Sequence, residues 1–104
     1  MSFNGNEGAV VTLADASRWT ANYRKTVPAG DVIGLFLGKN QLMKILNQTG
    51  CMGIRFYYAI GDDGVKNLVA VGAGADENDM TSGVILDKCF ICPPLCSTRN
   101  SLNS

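Results

Sequence analysis

Ile54-Arg55-Phe56-Tyr57-Tyr58-Ala59-Ile60-Gly61-Asp62-Asp63-Gly64-Val65-Lys66-Asn67-Leu68-Val69-Ala70-Val71 is the stretch on which the fold turns. Ile54, Phe56, Tyr58 and Ile60 alternate with Arg55, Tyr57 and Ala59, the period of a strand whose successive side chains point to opposite faces. A second β-rich run follows after a Gly-Asp-Asp-Gly cluster. Two such runs around an Asp-Gly turn predict a β-hairpin. The alternation assigns Ile54, Phe56, Tyr58 and Ile60 to the core. Tyr57, Ala59, Leu68 and Ala70 then tend toward the other face, which is apolar for a solvated strand pair. Helices on both sides of the sheet, or a second subunit on one, would cover it.

Upstream, Thr12 with Asp15 three residues on has the form of a capping box. Leu13, Ala16, Trp19, Ala21 and Tyr23 fall mostly on one helical face, opposite Asp15, Arg18, Asn22 and Lys25. This helix ends before Pro28, because the residue ahead of a proline is forced out of the α region. Asp31 to Leu37 is short, apolar and flanked by glycines, which predicts a buried strand. Asn40 is the expected N-cap of a second helix through Gln48, with Leu42, Ile45 and Leu46 toward the core and Gly50 as its left-handed terminator. Residues 72–83 read as a loop, and Val84-Ile85-Leu86 as the start of a last strand toward Cys89.

This order predicts one α+β domain over residues 1–104, with residues 1–8 and 97–104 frayed. Its sheet is mostly antiparallel, with the hairpin central and two helices packed on one face. A chain of 104 residues with 46% hydrophobic content can build a core without a metal or a disulfide. Charged residues are only 17%, below the roughly 25% of an average domain, and the nine basic and nine acidic side chains cancel. No positive field is available for nucleic acid. A neutral surface does little to repel further copies of the chain. No signal-like start and no membrane-length apolar run is visible, so a cytoplasmic, soluble protein with reduced thiols is expected.

The residues that could carry chemistry are few. Cys89, Cys92 and Cys96 form C-F-I-C-P-P-L-C, and Cys51 lies upstream. Four thiolates could hold zinc, and C-x2-C is a common ligand spacing, but a second such pair is missing. The same cysteines could hold an iron–sulfur cluster, and Cys89 and Cys92 could form a redox pair, although Pro93-Pro94 prevents the helix that usually follows one. Free thiols beside a stiff Pro-Pro segment are the plainer expectation. Histidine is absent, which removes the commonest general base and every His-containing metal site. Asp62-Asp63 fit a turn. Asp76-Glu77-Asn78-Asp79 lack the calcium-loop pattern, and no glycine segment matches a phosphate cradle. Arg18, Arg24 and Lys25 near Trp19 and Tyr23 could stack on a base, but core packing explains the aromatics.

Trp19-Thr20-Ala21-Asn22-Tyr23-Arg24 and the ending Cys92-Pro93-Pro94-Leu95-Cys96 resemble small uncharacterised proteins of Bacteroidetes-type bacteria. The resemblance implies a bacterial origin and transfers no functional residues. The expected function is a non-catalytic binding or assembly module, a homo-oligomer or a partner of another protein, with no cofactor, nucleic acid or membrane. Tyr57, Ala59, Leu68 and Ala70 are its expected interaction surface. The alternative is a small zinc or redox protein using Cys51, Cys89, Cys92 and Cys96.

Overall fold

A computed structural model describes residues 2–104. It has the small α+β architecture expected, with two helices and five strands in the order α1 (Leu13–Arg24), β1 (Gly34–Phe36), α2 (Lys39–Leu46), β2 (Cys51–Ile60), β3 (Lys66–Gly74), β4 (Ile85–Leu86) and β5 (Phe90–Cys92). The strands make two antiparallel sheets, one ordered β2-β3-β4 and the other β1-β5. The chain divides into two compact units. The first holds the residues up to Glu7 with Leu37–Cys89, and the second holds Gly8–Phe36 with Phe90–Ser104.

The first unit is the hairpin, the short β4 and α2. Phe56 pairs with Ala70, Tyr57 with Val69 and Tyr58 with Leu68. The connection is longer than a two-residue turn: Gly61 N–H donates to the Val65 carbonyl and Gly64 N–H to that of Gly61. Asp63 acts as a turn residue, its carboxylate accepting from Val65 N–H at 3.0 Å. Gly64 supplies the positive φ of 80° that the reversal needs. β3 runs on through Gly74, beyond the loop boundary expected at Gly72, because it is the central strand with partners on both sides. That position also makes it the core: Ala70, Val71 and Ala73 are buried, together with Ile45 of α2 and Cys89.

α2 packs against β2 and β3. Gly38, not Asn40, is its N-cap, with no side-chain hydrogen bond; Asn40 lies inside the first turn. Leu42 is half-buried, while Leu46 is exposed. Gln48, just past the C-cap Asn47, fastens this end of the helix. Its Nε2 donates to the Ile45 carbonyl at 3.0 Å, and its Oε1 accepts from Val84 N–H at 2.8 Å. A Cβ on Gly72 would stand 3.1 Å from Gln48 Nε2, Cys51 Sγ and Met80 Sδ, so the close approach of this corner to β3 requires glycine.

The second unit combines α1 with the β1-β5 pair. Thr12 is the N-cap, its hydroxyl accepting from Asp15 N–H at 3.1 Å, as expected. Phe36 faces Phe90 and Gly34 faces Cys92 across the ladder. Arg24, at the end of α1, donates to the Leu102 and Ser104 carbonyls at 2.6 and 2.8 Å, which secures the chain end expected to fray. Among its described residues none is buried. A unit with so little core needs another source of stability, and the Cys92–Cys96 disulfide is one.

Candidate functional site

The turn-proximal part of the hairpin presents an apolar row. Residues directly opposite on an antiparallel pair share a face. Phe56, Tyr58 and Ile60 therefore stand with Ala70 and Leu68, not against them. This corrects the grouping of Tyr57 and Ala59 with Leu68 and Ala70. The connection from Gly61 to Val65 sets a register in which Tyr57 meets Val69 and Ala59 meets Asn67. A one-residue difference in register moves every side chain of a strand to the other face.

Burial also departs from the expectation from alternation at several positions. Ala70 is fully buried, Ala59 and Leu68 are half-buried, and Tyr57 is exposed. Tyr58, read as a core residue, is 97% exposed and Ile60 71%. Length explains this. The eight residues of α2 span about 12 Å at the α-helical rise. The ten residues of β2 extend about 33 Å. The helix covers the end of the hairpin near Gly72 and leaves the turn end uncovered.

The other face carries a polar cluster that the linear sequence does not show. Asp79 takes the Arg55 guanidinium at 2.5 Å on Oδ1 and the Tyr57 hydroxyl at 2.5 Å on Oδ2. Arg55 also donates to the Glu77 carbonyl at 3.1 Å, and its guanidinium lies 5.5 Å from the centre of the Phe3 ring. A cavity of about 320 Å³ opens beside it, lined by Phe3, Glu7, Met52, Ile54, Arg55 and Ala73 among others. The hydrogen bond from Tyr57 and the pairing with Arg55 hold the Asp79 carboxyl below the usual carboxylate range. Asp79 in turn pushes the Tyr57 phenol up. The carboxylate is committed to two donors, and with the bond from Arg55 to the Glu77 carbonyl the cluster pins the 77–79 loop to β2. Asp79 lies 24 residues from Arg55; the antiparallel bridge of Asp79 to Ala73 and the pairing of β3 with β2 bring them together. The sequence signal is one lone cation in an apolar strand, which calls for an acidic partner.

Cys51 and Cys89 belong to the first unit, Cys92 and Cys96 to the second. Cys92 and Cys96 form a disulfide with Cα atoms 4.8 Å apart, while Cys51 and Cys89 are free. The bond links Cys92 to Cys96 across Pro93-Pro94, not to Cys89 as a C-x2-C redox pair would, and it corrects the expectation of free thiols for these two residues. Cys89 is buried and its thiol lies 3.6 Å from the Leu68 carbonyl; Cys51 is half-buried, with its thiol 3.2 Å from the Gly53 carbonyl. A zinc site built on all four would need Cys92 and Cys96 as thiolates. Among the described residues no group of three His, Cys, Asp or Glu side chains is placed to hold a metal ion. In the second unit, Trp19, Tyr23, Arg24, Ile33 and Leu102 line a shallow cavity of about 280 Å³. Arg18 lies over Trp19, 5.6 Å from the ring centre, and pairs with Asp15 at 3.0 Å.

Comparison with protein-family models, curated proteins and solved structures finds no match.

Proposed function

We propose that this chain is a non-catalytic binding and assembly module that self-associates through the apolar face of its hairpin. The observation that carries the reading is the exposed row Phe56, Tyr58 and Ile60 on a strand whose opposite residue Ala70 is fully buried. Large aromatic and branched side chains on an ordered strand are costly to leave in water, and covering them is worth roughly 25 cal/mol per Å² of apolar surface. Zero net charge leaves no long-range repulsion to oppose pairing. Native mass spectrometry of freshly purified protein, without reductant, tests the reading. A multiple of the chain mass is expected; a bare monomer at every concentration would refute it.

A second reading, a small redox protein, draws on the Cys92–Cys96 disulfide. An external dithiol would supply two electrons and two protons, opening the bond to two thiols while itself closing to a disulfide. Equilibration against glutathione buffers decides it: a redox role needs a potential near that of the glutathione pool, and a structural bond resists reduction there. The disulfide also bears on location. No helix among the described residues is long and apolar enough to cross a membrane. A persistent disulfide favours an oxidising compartment over the reducing cytoplasm that the sequence alone suggested.

A further inference from the structure

In the second unit the chain beyond Cys96 forms no further strand or helix, yet it is fastened at both ends. Toward Ser104 the fastening is polar. Ser17 donates its hydroxyl to that of Ser101 at 2.8 Å, and Arg24 donates to the Leu102 and Ser104 carbonyls at 2.6 and 2.8 Å. These bonds, all from α1, set Leu102 at the cavity it lines with Trp19, Tyr23 and Ile33. At Cys96 the fastening is covalent. Cys96 is bonded to Cys92, the last residue of β5. Cys92 is held in turn by the ladder, where it faces Gly34 and its carbonyl accepts from Ile33 N–H at 2.8 Å. The segment 97–104 is therefore a strap laid against the aromatic side of α1, with the disulfide as its fixed end.

We propose that the Cys92–Cys96 disulfide is a redox latch, whose reduction releases residues 97–104 and uncovers the Trp19–Tyr23 surface of α1. The proposal rests on the redox reading above, with the bond acting as a switch within the chain. Cys96 is exposed and Cys92 half-buried, and exchange begins at the sulfur that a thiolate can reach. The thiolate of an external dithiol attacks Cys96 Sγ, the Cys92–Cys96 bond breaks, and Cys92 leaves as a thiolate that takes up a proton. The second thiol of the reductant then closes on the first and frees Cys96 as a thiol. Two electrons and two protons pass to the protein, and the dithiol ends as a disulfide. With the bond closed, the strap starts from a fixed Cys96, six residues ahead of Leu102; with it open, the last residue held by the ladder is Cys92, ten residues ahead. A longer tether lowers the chance that Leu102 meets α1. Hydrogen bonds at an exposed surface replace bonds to water and hold the strap weakly without the covalent tie. No described residue of this unit is buried, so no core retains the strap once the tie is gone.

Trp19 is the one tryptophan of the chain, so its fluorescence reads the strap directly. The wild-type protein is equilibrated across a series of glutathione buffers. At each point its thiols are counted by alkylation in denaturant and Trp19 is followed by acrylamide quenching. The count should rise from two to four, Cys92 and Cys96 joining Cys51 and Cys89. Quenching of Trp19 should rise with the same midpoint and fall back on reoxidation. Leu102→Ala, at an exposed position, leaves the sulfurs untouched; it should raise quenching in the oxidised protein and leave less for reduction to add. Quenching that stays constant while the count goes from two to four overturns the latch and leaves the redox reading standing. So does a Leu102→Ala protein that is quenched like wild type in both states. A count that stays at two across the whole series overturns both.

Discussion

Tyr57 donates its hydroxyl to Asp79 Oδ2 at 2.5 Å, and the same carboxylate takes Arg55 on its other oxygen, so one acidic side chain closes the 77–79 loop onto β2. The arrangement has a pH signature. Asp79 ionises more readily in the folded state, so its contribution is present above the ordinary carboxylate range and is lost as pH falls through its lowered value. Tyr57 is shifted the other way: its contribution is complete below the ordinary phenol range and is lost as pH rises through its raised value. Stability should therefore be flat across neutral pH and fall on both sides. In Asp79→Asn the acid limb should flatten, and the Tyr57 phenol, followed by ultraviolet absorbance as the difference from Tyr57→Phe, should ionise at lower pH.

Ile45 is the largest side chain that is fully buried, and its truncation should be the most damaging single change in the first unit. Ile45→Ala should cost about 2–5 kcal/mol in urea unfolding, the range for a large-to-small change in a packed core. Met43→Ala, on the exposed side of the same helix, should stay within about 0.5 kcal/mol of wild type.

Gly72 should resist even one added methyl group. Gln48 is tied at both ends of its amide, to Ile45 and to Val84, so it cannot swing away from a new Cβ at 3.1 Å. Gly72→Ala should destabilise by about 1–3 kcal/mol, the usual cost of overpacking. Gly38→Ala, where a Cβ would meet nothing and φ is −65°, should be tolerated.

Thiol counting separates the cysteines. Without reductant, denatured protein should expose Cys51 and Cys89 to alkylation; after reduction all four cysteines should react. By the chain-entropy relation a loop as short as Cys92–Cys96 contributes only about 2 kcal/mol. That is still large for a unit without a buried residue. The double substitution of Cys92 and Cys96 by Ser should accelerate hydrogen exchange in Gly34–Phe36 and leave Ala70–Gly72 unchanged.

The hairpin was legible because period-two alternation and the Asp63-Gly64 pair are local signals. So was the start of α1, where Thr12 needs only its own neighbours to cap the helix. Which face of the hairpin is buried was not legible. Alternation reports parity, whereas burial depends on what covers the strand, and α2 is too short to reach Tyr58 or Ile60. Small residues gave the clue in hindsight: Ala70, Gly72 and Ala73 mark where other elements approach β3 closely. The Arg55–Tyr57–Asp79 cluster depends on strand pairing, and the partner of Cys92 on the path of the chain through Pro93-Pro94. Neither is encoded by spacing alone.

Self-association is the claim on which the account stands, and sedimentation velocity of the wild-type chain over a concentration series tests it most directly. The account predicts a boundary that moves from monomer toward an assembled species as concentration rises. A single monomer boundary throughout the series would contradict it.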